Sequence, residues 1–521
     1  MSKNNYMPLL LILALVIFSS VISYGEDYKG NLRAGVILTD LEGNSSVHQP
    51  TYNLYDGFAL SLEKFQYRWN NGLRLNANLI NPTLDNRNMT FGLLKHGYGG
   101  VNFQHNSYRR NYNFDGGEFT RRQTTSGSAW FKPVKQVKIF GGYGVSDKQG
   151  QLLQILDYTS ELPGDRIDYV NTYYNMGLEF KHKQSYGQFD YNVSDFKNDV
   201  LPENDRSTQR LRFTVYTPVP HYDNILVGGG YQFYKNKLEN NSDTLRANTV
   251  WGVARYAHLK GYEVRYNFIF DRARRTGDLT STDNIKQIIH AGKSWLGHGG
   301  IMLGYAHLIN DDLRRARSGN EYSVSGWWKA LTDLTLRAGF GYINNVVDSG
   351  RSLTGDREYS HYWISAKYAI ENGFVRIKID DREKDNEQIN TSADYLRLTT
   401  DFSLSNVNYG DFYASLSYGS GQYENTEGMF DFKEYTLSGD LLTPEYKKLQ
   451  GGIGGSYYKA KEDIDIEIST LRFTGKVRIL KRALLEAVYS VDNYDDYNDT
   501  ARPYKEYYTA NVFQLSLLWE L

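Results

Sequence analysis

The sequence predicts an all-β protein: a single large antiparallel transmembrane β-barrel of the outer-membrane type. It would have about 26 strands (range about 22–28), short periplasmic turns, longer extracellular loops and no plug domain. Three observations predict it. Apolar and polar residues alternate in segments of about ten residues from Asn31 to Leu521. Tyrosine is abundant, 44 of 521 residues, with 48 Gly and only 10 Pro, as aromatic girdles and tight turns require. Short and long connections alternate along the chain.

The N-terminus reads as an export signal. Lys3 is the only charge before Glu26, Leu9–Phe18 is an unbroken apolar run, and Ser23-Tyr24-Gly25 is a small-x-small cleavage site. Residues 1–25 are therefore expected to be a signal peptide and residues 26–521 the barrel. After Gly25 no apolar stretch is long enough for a spanning helix. Mean hydropathy is −0.57, which suits a barrel because only every second strand residue meets lipid.

Individual segments show the period of two. Tyr262, Val264, Tyr266, Phe268 and Phe270 share one face, against Glu263, Arg265, Asn267 and Asp271, with Ile269 the exception. Leu334, Leu336, Ala338, Phe340 and Tyr342 oppose Thr335, Arg337, Gly339 and Gly341. Tight turns with Gly or Asn follow at Asn70-Asn71-Gly72, Lys95-His96-Gly97, Leu259-Lys260-Gly261 and Glu371-Asn372-Gly373. Longer polar connections lie between hairpins, as at Gly43–Asp56 and Gly150–Asp168. All nine prolines after the signal are expected in turns or loops, since proline cannot donate a ladder hydrogen bond. Two segments change phase, Leu62 to Phe65 and Ile468 to Leu471. Each is either a β-bulge or a strand boundary.

The chain ends on Phe513, Leu515, Leu517, Trp519 and Leu521, an alternating aromatic-rich strand resembling the signal read by barrel-assembly machinery. As the last strand it should close on the first, leaving no edge in lipid.

Charge and cysteine content narrow the function. Net charge is −1, or −2 once Lys3 is removed, which argues against a nucleic-acid partner. There is no cysteine, hence no CxxCH haem attachment and no disulfide. No cofactor is expected on this chain, and any haem would belong to a partner. No nucleophile elbow or HExxH occurs, so no enzyme is expected. The inward faces should carry Arg74, Arg212, Arg265, Arg337, Arg376, Lys378, Arg397 and Asp401, with Glu179, Lys181, Arg210 and Glu263. They are read either as contacts to a partner or solute, or as ordinary wet lumen positions. Arg376 and Lys378 form a local basic patch. Charged loops such as Asp311-Asp312 with Arg314-Arg315 are read as solvated tips or as divalent-ion bridges to lipopolysaccharide.

Size adds one inference. Barrels of about 16–18 strands already leave an aqueous channel, and 22-stranded transporters are plugged. A barrel near 26 strands should be filled, and the sequence points to a separate polypeptide as the filler.

The stretch Leu73-Arg74-Leu75-Asn76-Ala77-Asn78-Leu79, then Leu84-Asp85-Asn86-Arg87-Asn88, then Phe91-Gly92 and Tyr98-Gly99-Gly100-Val101, resembles the MtrB/PioB family of outer-membrane barrels. The likeness is close over about thirty residues and otherwise lies in architecture. This chain lacks the N-terminal CxxC of some members and is shorter. The resemblance implies a sheath around a periplasm-facing multihaem c-type cytochrome, with a second cytochrome at the outer surface, carrying electrons across the outer membrane. The alternative is a general or solute-selective diffusion porin with no cytochrome partner.

Overall fold

The computed structural model describes residues 28–43, 56–84, 86–111, 119–152, 165–239, 243–276, 281–295, 297–312, 315–347, 357–386, 391–406, 408, 410–425, 428–497 and 507–521. The expected signal peptide, Pro50, Pro163, Pro503 and Arg314 lie outside the described residues.

The strands are long and meander in chain order. The first are β1 (Tyr28–Gly43), β2 (Gly57–Arg68), β3 (Leu73–Ile80), β4 (Arg87–Lys95), β5 (Gly99–Asn111), β6 (Phe119–Val134) and β7 (Val137–Leu152). Next come β8 (Asp165–His182), β9 (Ser185–Asn198), β10 (Arg206–Val219), β11 (Tyr222–Leu238), β12 (Thr244–Ala257), β13 (Tyr262–Arg275) and β14 (Ser281–Trp295). These are followed by β15 (Gly299–Asp312), β16 (Arg315–Lys329), β17 (Leu334–Val347), β18 (Arg357–Ile370), β19 (Gly373–Asn386) and β20 (Thr391–Asn406). The last are β21 (Gly410–Asn425), β22 (Gly428–Leu442), β23 (Leu449–Glu462), β24 (Ile466–Leu480), β25 (Ala483–Asp496) and β26 (Tyr507–Glu520).

Each strand pairs antiparallel with its sequence neighbours, and β26 pairs with β1 from Asn31↔Glu520 to Gly43↔Tyr508. The 26-stranded sheet is therefore closed. Closure satisfies every ladder in lipid without an edge. The tight turns fall between β2 and β3, β4 and β5, β12 and β13, and β18 and β19, where the Asn/Gly sequences lie. Gly72, Gly97, Gly261 and Asn372 take positive φ there.

Because the registers run through the sheet, the parity of one strand fixes the face of all. The face carrying Leu334, Leu336, Ala338, Phe340 and Tyr342 continues through Ala366, Ile364 and Tyr362 of β18 to Ile377 and Ile379 of β19. Its large side chains are exposed, for example Ile364, Leu416, Leu437 and Trp328. Exposed apolar residues on one continuous face of a closed sheet mark the lipid side. From Leu334 to Tyr342 this belt runs about 27 Å along the strand. A tilt of about 40° shortens that to about 20 Å along the axis, close to the roughly 25 Å of an outer-membrane belt.

Aromatic rings bound the belt. On the long-loop side Tyr305, Tyr322 and Tyr342 stand side by side in register, with ring centroids 5.4 Å and 6.4 Å apart. Tyr418 and Tyr435 continue the pattern at 5.3 Å. One outward position further on, the residues turn polar: His307, Asn320 and Asn344. On the turn side the exposed Trp295, Trp328, Tyr262 and Tyr368 mark the other boundary. The chain is a large outer-membrane β-barrel. The C-terminal alternation falls into place: Phe513, Leu515, Leu517 and Trp519 face outward on β26, and the backbone N–H of Leu521 donates to Gly30 O at 2.8 Å.

Of the two phase changes, one is a bulge and the other is not, and two prolines depart from their expected placement. The phase change in β2 is a true bulge: the register shifts between Leu62 and Phe65, and Lys64 takes φ 51°. Its backbone N–H, lost to the ladder, donates to Asn78 Oδ1 at 3.1 Å. The change near Ile468 is not a bulge, because β24 holds register from Ile466 to Arg478. Ile466 and Ile468 simply face inward, beside Ala460 and Tyr458. Two prolines lie in strands rather than turns, Pro133 in β6 and Pro218 in β10. Both sit at the turn ends, where the register shifts and the ladder is already failing, so the missing N–H costs little.

Candidate functional site

The candidate site is the luminal wall. The same parity argument that places the apolar belt outside places the alternate residues inside. On β19 these are Phe374, Arg376, Lys378, Asp380 and Arg382; on β20 they are Ser403, Asp401, Thr399, Arg397 and Tyr395. Arg74, Arg212, Arg265 and Arg337 also fall on inward positions of β3, β10, β13 and β17. So do Arg210, Glu179, Lys181 and Glu263.

The sequence singles out Arg376 and Lys378 as a basic patch. In three dimensions each is ion-paired. Arg376 Nε donates to Asp401 Oδ2 at 2.8 Å, and Ser415 Oγ donates to the other oxygen at 2.8 Å. Lys378 Nζ donates to Asp380 Oδ2 at 2.7 Å, while Arg382 Nε reaches Asp380 Oδ1 at 2.7 Å and His361 Nε2 lies 3.1 Å away. Asp380 and Asp401 are only 4% and 3% exposed, so the two carboxylates sit under their cations. Breaking such a pair is costly because it strands the buried partner. Three cations here share two buried carboxylates, and this part of the wall is an ion-paired network. Arg397 differs: its guanidinium reaches Ser417 Oγ at 3.3 Å, and its Nε has no hydrogen-bond partner.

A second network ties the closure seam. Arg33 of β1 donates from Nε to Glu63 of β2 at 2.7 Å and from Nη1 to Ser516 of β26 at 2.9 Å. It also pairs with Glu486 of β25, which in turn holds Lys476 of β24 at 3.2 Å. One guanidinium thereby links four strands, and Glu486 extends the link to a fifth.

The segment after β3 turns inward near this seam. β3 ends at Ile80, well before its neighbour β2 does. The free edge of β2 is met by the Thr83 side chain, whose Oγ1 donates to Phe58 O at 2.7 Å, and the Asn81 backbone N–H donates to the Ser61 hydroxyl at 3.0 Å. Leu84 then packs with Ile37, Ala59 and Val512 on the luminal face. Sequence reasoning missed both this tuck and the seam network, since each depends on contacts between segments far apart in the chain.

Elsewhere cations lie over aromatics. The Arg212 guanidinium sits 5.2 Å from the Trp251 ring, and Lys367 Nζ sits 4.3 Å from Phe374. Among the described residues, no group of three or more His, Cys, Asp or Glu side chains is placed to hold a metal ion.

No family model matches the sequence, and no curated protein matches it. Solved structures do. A mutant of the ferric enterobactin receptor PfeA of Pseudomonas aeruginosa is 11% identical, with 95% of this chain and 81% of that one covered and a TM-score of 0.54. A second mutant of the receptor, in complex with enterobactin, is 10% identical, with 95% and 82% covered and a TM-score of 0.54. At this identity the likeness is one of fold.

Proposed function

We propose that this barrel is a sheath that holds a separate folded protein, a multihaem c-type cytochrome, across the outer membrane for transmembrane electron transfer. The observation that carries the reading is the closed 26-stranded sheet. At about 4.8 Å between strands and a tilt of about 40°, a circular barrel of that size is roughly 50 Å across between backbones. Side chains leave about 40 Å. A folded domain of about a hundred residues has a radius of gyration near 13 Å, so one fits lengthwise. Among the described residues, the inward excursion at Leu84 is a local tuck and fills only the seam. An unfilled lumen of this width would abolish the permeability barrier of the membrane.

The haem content of the partner rests on the sequence likeness to the MtrB/PioB barrels. The sheath supplies no cofactor of its own in this reading. Its tasks are to exclude lipid from the partner and to fix its depth. A second cytochrome at the long-loop mouth belongs to the same proposal.

The test is haem content after gentle purification from native outer membranes. The sheath reading expects near-stoichiometric covalent haem to survive the detergent wash. A haem-free barrel that passes a large, steady current in a planar bilayer would make it a diffusion porin instead.

A further inference from the structure

We infer that the turn-side rim of the lumen is a docking collar for a protein partner with an acidic surface at its periplasmic end. The inference rests on the sheath reading and adds the chemistry of the contact.

The observation is a set of like-charged residues placed directly opposite each other on the inner wall. Arg68 faces Arg74 across the β2–β3 hairpin, Arg255 faces Arg265 across β12–β13, and Lys367 faces Arg376 across β18–β19. All three pairs stand a few residues from a tight turn, the periplasmic end of an outer-membrane barrel. Like charges directly opposite in a sheet are destabilising, and here they recur around the rim. Arg255 and Arg265 share Glu263, and Arg376 has Asp401. Arg68, Arg74 and Lys367, with Lys329 and Arg337 nearby, make no ion pair among the described residues. The whole chain carries a net charge of −1, so this surplus reflects placement and not composition.

The range of the field decides between a small solute and a macromolecule. At physiological salt the Debye length is about 8 Å, against a lumen radius of about 20 Å. A small anion near the axis would scarcely sense the rim. A protein surface that fills the lumen meets it at contact distance, where complementary charge fixes depth and register.

The experiment uses the full barrel in a planar bilayer with poly-L-glutamate or poly-L-lysine added on the turn side. Wild type is compared with the triple variants Arg74→Glu/Arg337→Glu/Lys367→Glu and Arg74→Gln/Arg337→Gln/Lys367→Gln. Unchanged open conductance and heat-modifiable mobility identify folded variants, and the glutamine set serves if the glutamate set does not assemble. The collar predicts that polyglutamate blocks wild type at a concentration at least about tenfold lower than the variants. It also predicts that the block weakens from about 0.1 M to 1 M salt and that polylysine does not block. Equal block of wild type and variants, or block by polylysine as well, would overturn it. The sheath reading is scored separately: haem that co-purifies with both wild type and the triple variant sinks the collar and leaves the sheath. Selective polyglutamate block with no haem in native preparations does the reverse.

Discussion

Arg33 gathers two carboxylates, Glu63 and Glu486, and a serine hydroxyl from three neighbouring strands at the point where the chain closes on itself. Replacing it with Met keeps the aliphatic stem but leaves the carboxylates of β2 and β25 facing each other with only Lys476 as a cation. Arg33→Met is expected to lower barrel stability by about 1.5–3 kcal/mol, read as the guanidinium midpoint of unfolding in detergent. An unchanged midpoint would mean that the seam is held by its ladder alone. At this scale the sequence sorts charges by strand face, because period two is a local property. It did not show who pairs with whom. Arg376 and Asp401 sit on adjacent strands, yet only the register brings them together. The like-charged hairpin pairs were within reach of the sequence. Arg68 and Arg74 flank the Asn70-Asn71-Gly72 turn symmetrically, and counting outward from each turn would have found them.

At the scale of one strand, the two faces differ in what they tolerate. Leu437 on β22 is outward and 55% exposed, in register with Leu416, while its neighbour Ser438 faces the lumen beside Ser415. Leu437→Arg should cost about 2–4 kcal/mol near the membrane midplane, whereas an Arg on a luminal face costs far less. Folding into lipid vesicles measures the difference, and equal losses for Leu437→Arg and Ser438→Arg would contradict the assignment of faces. Most of each strand was legible, since the apolar belt is written as alternation and the turns as Gly and Asn. Irregularities were legible only in part. The bulge at Lys64 and the inward Ile466 and Ile468 give the same break in pattern, and telling them apart requires the partner strand.

For the whole molecule, the strand number was readable because nearly every hairpin carries its own turn signal. Closure was an inference that the β1–β26 ladder now bears out. What fills the lumen is not written in the alternation, because an inner wall designed for water and one designed for a polar protein use the same residue types. The central claim is that a separate haem protein occupies the lumen. The most direct measurement is a photo-crosslinking amino acid at Ser323 in intact cells, compared with the same group at Val324. Ser323 is luminal and lies between Gly304 and Gly341, with room for the probe; Val324 faces lipid. The account predicts a covalent adduct from position 323 that stains for haem, and none from position 324. A probe at 323 that captures nothing, or captures only other segments of this chain, would contradict it.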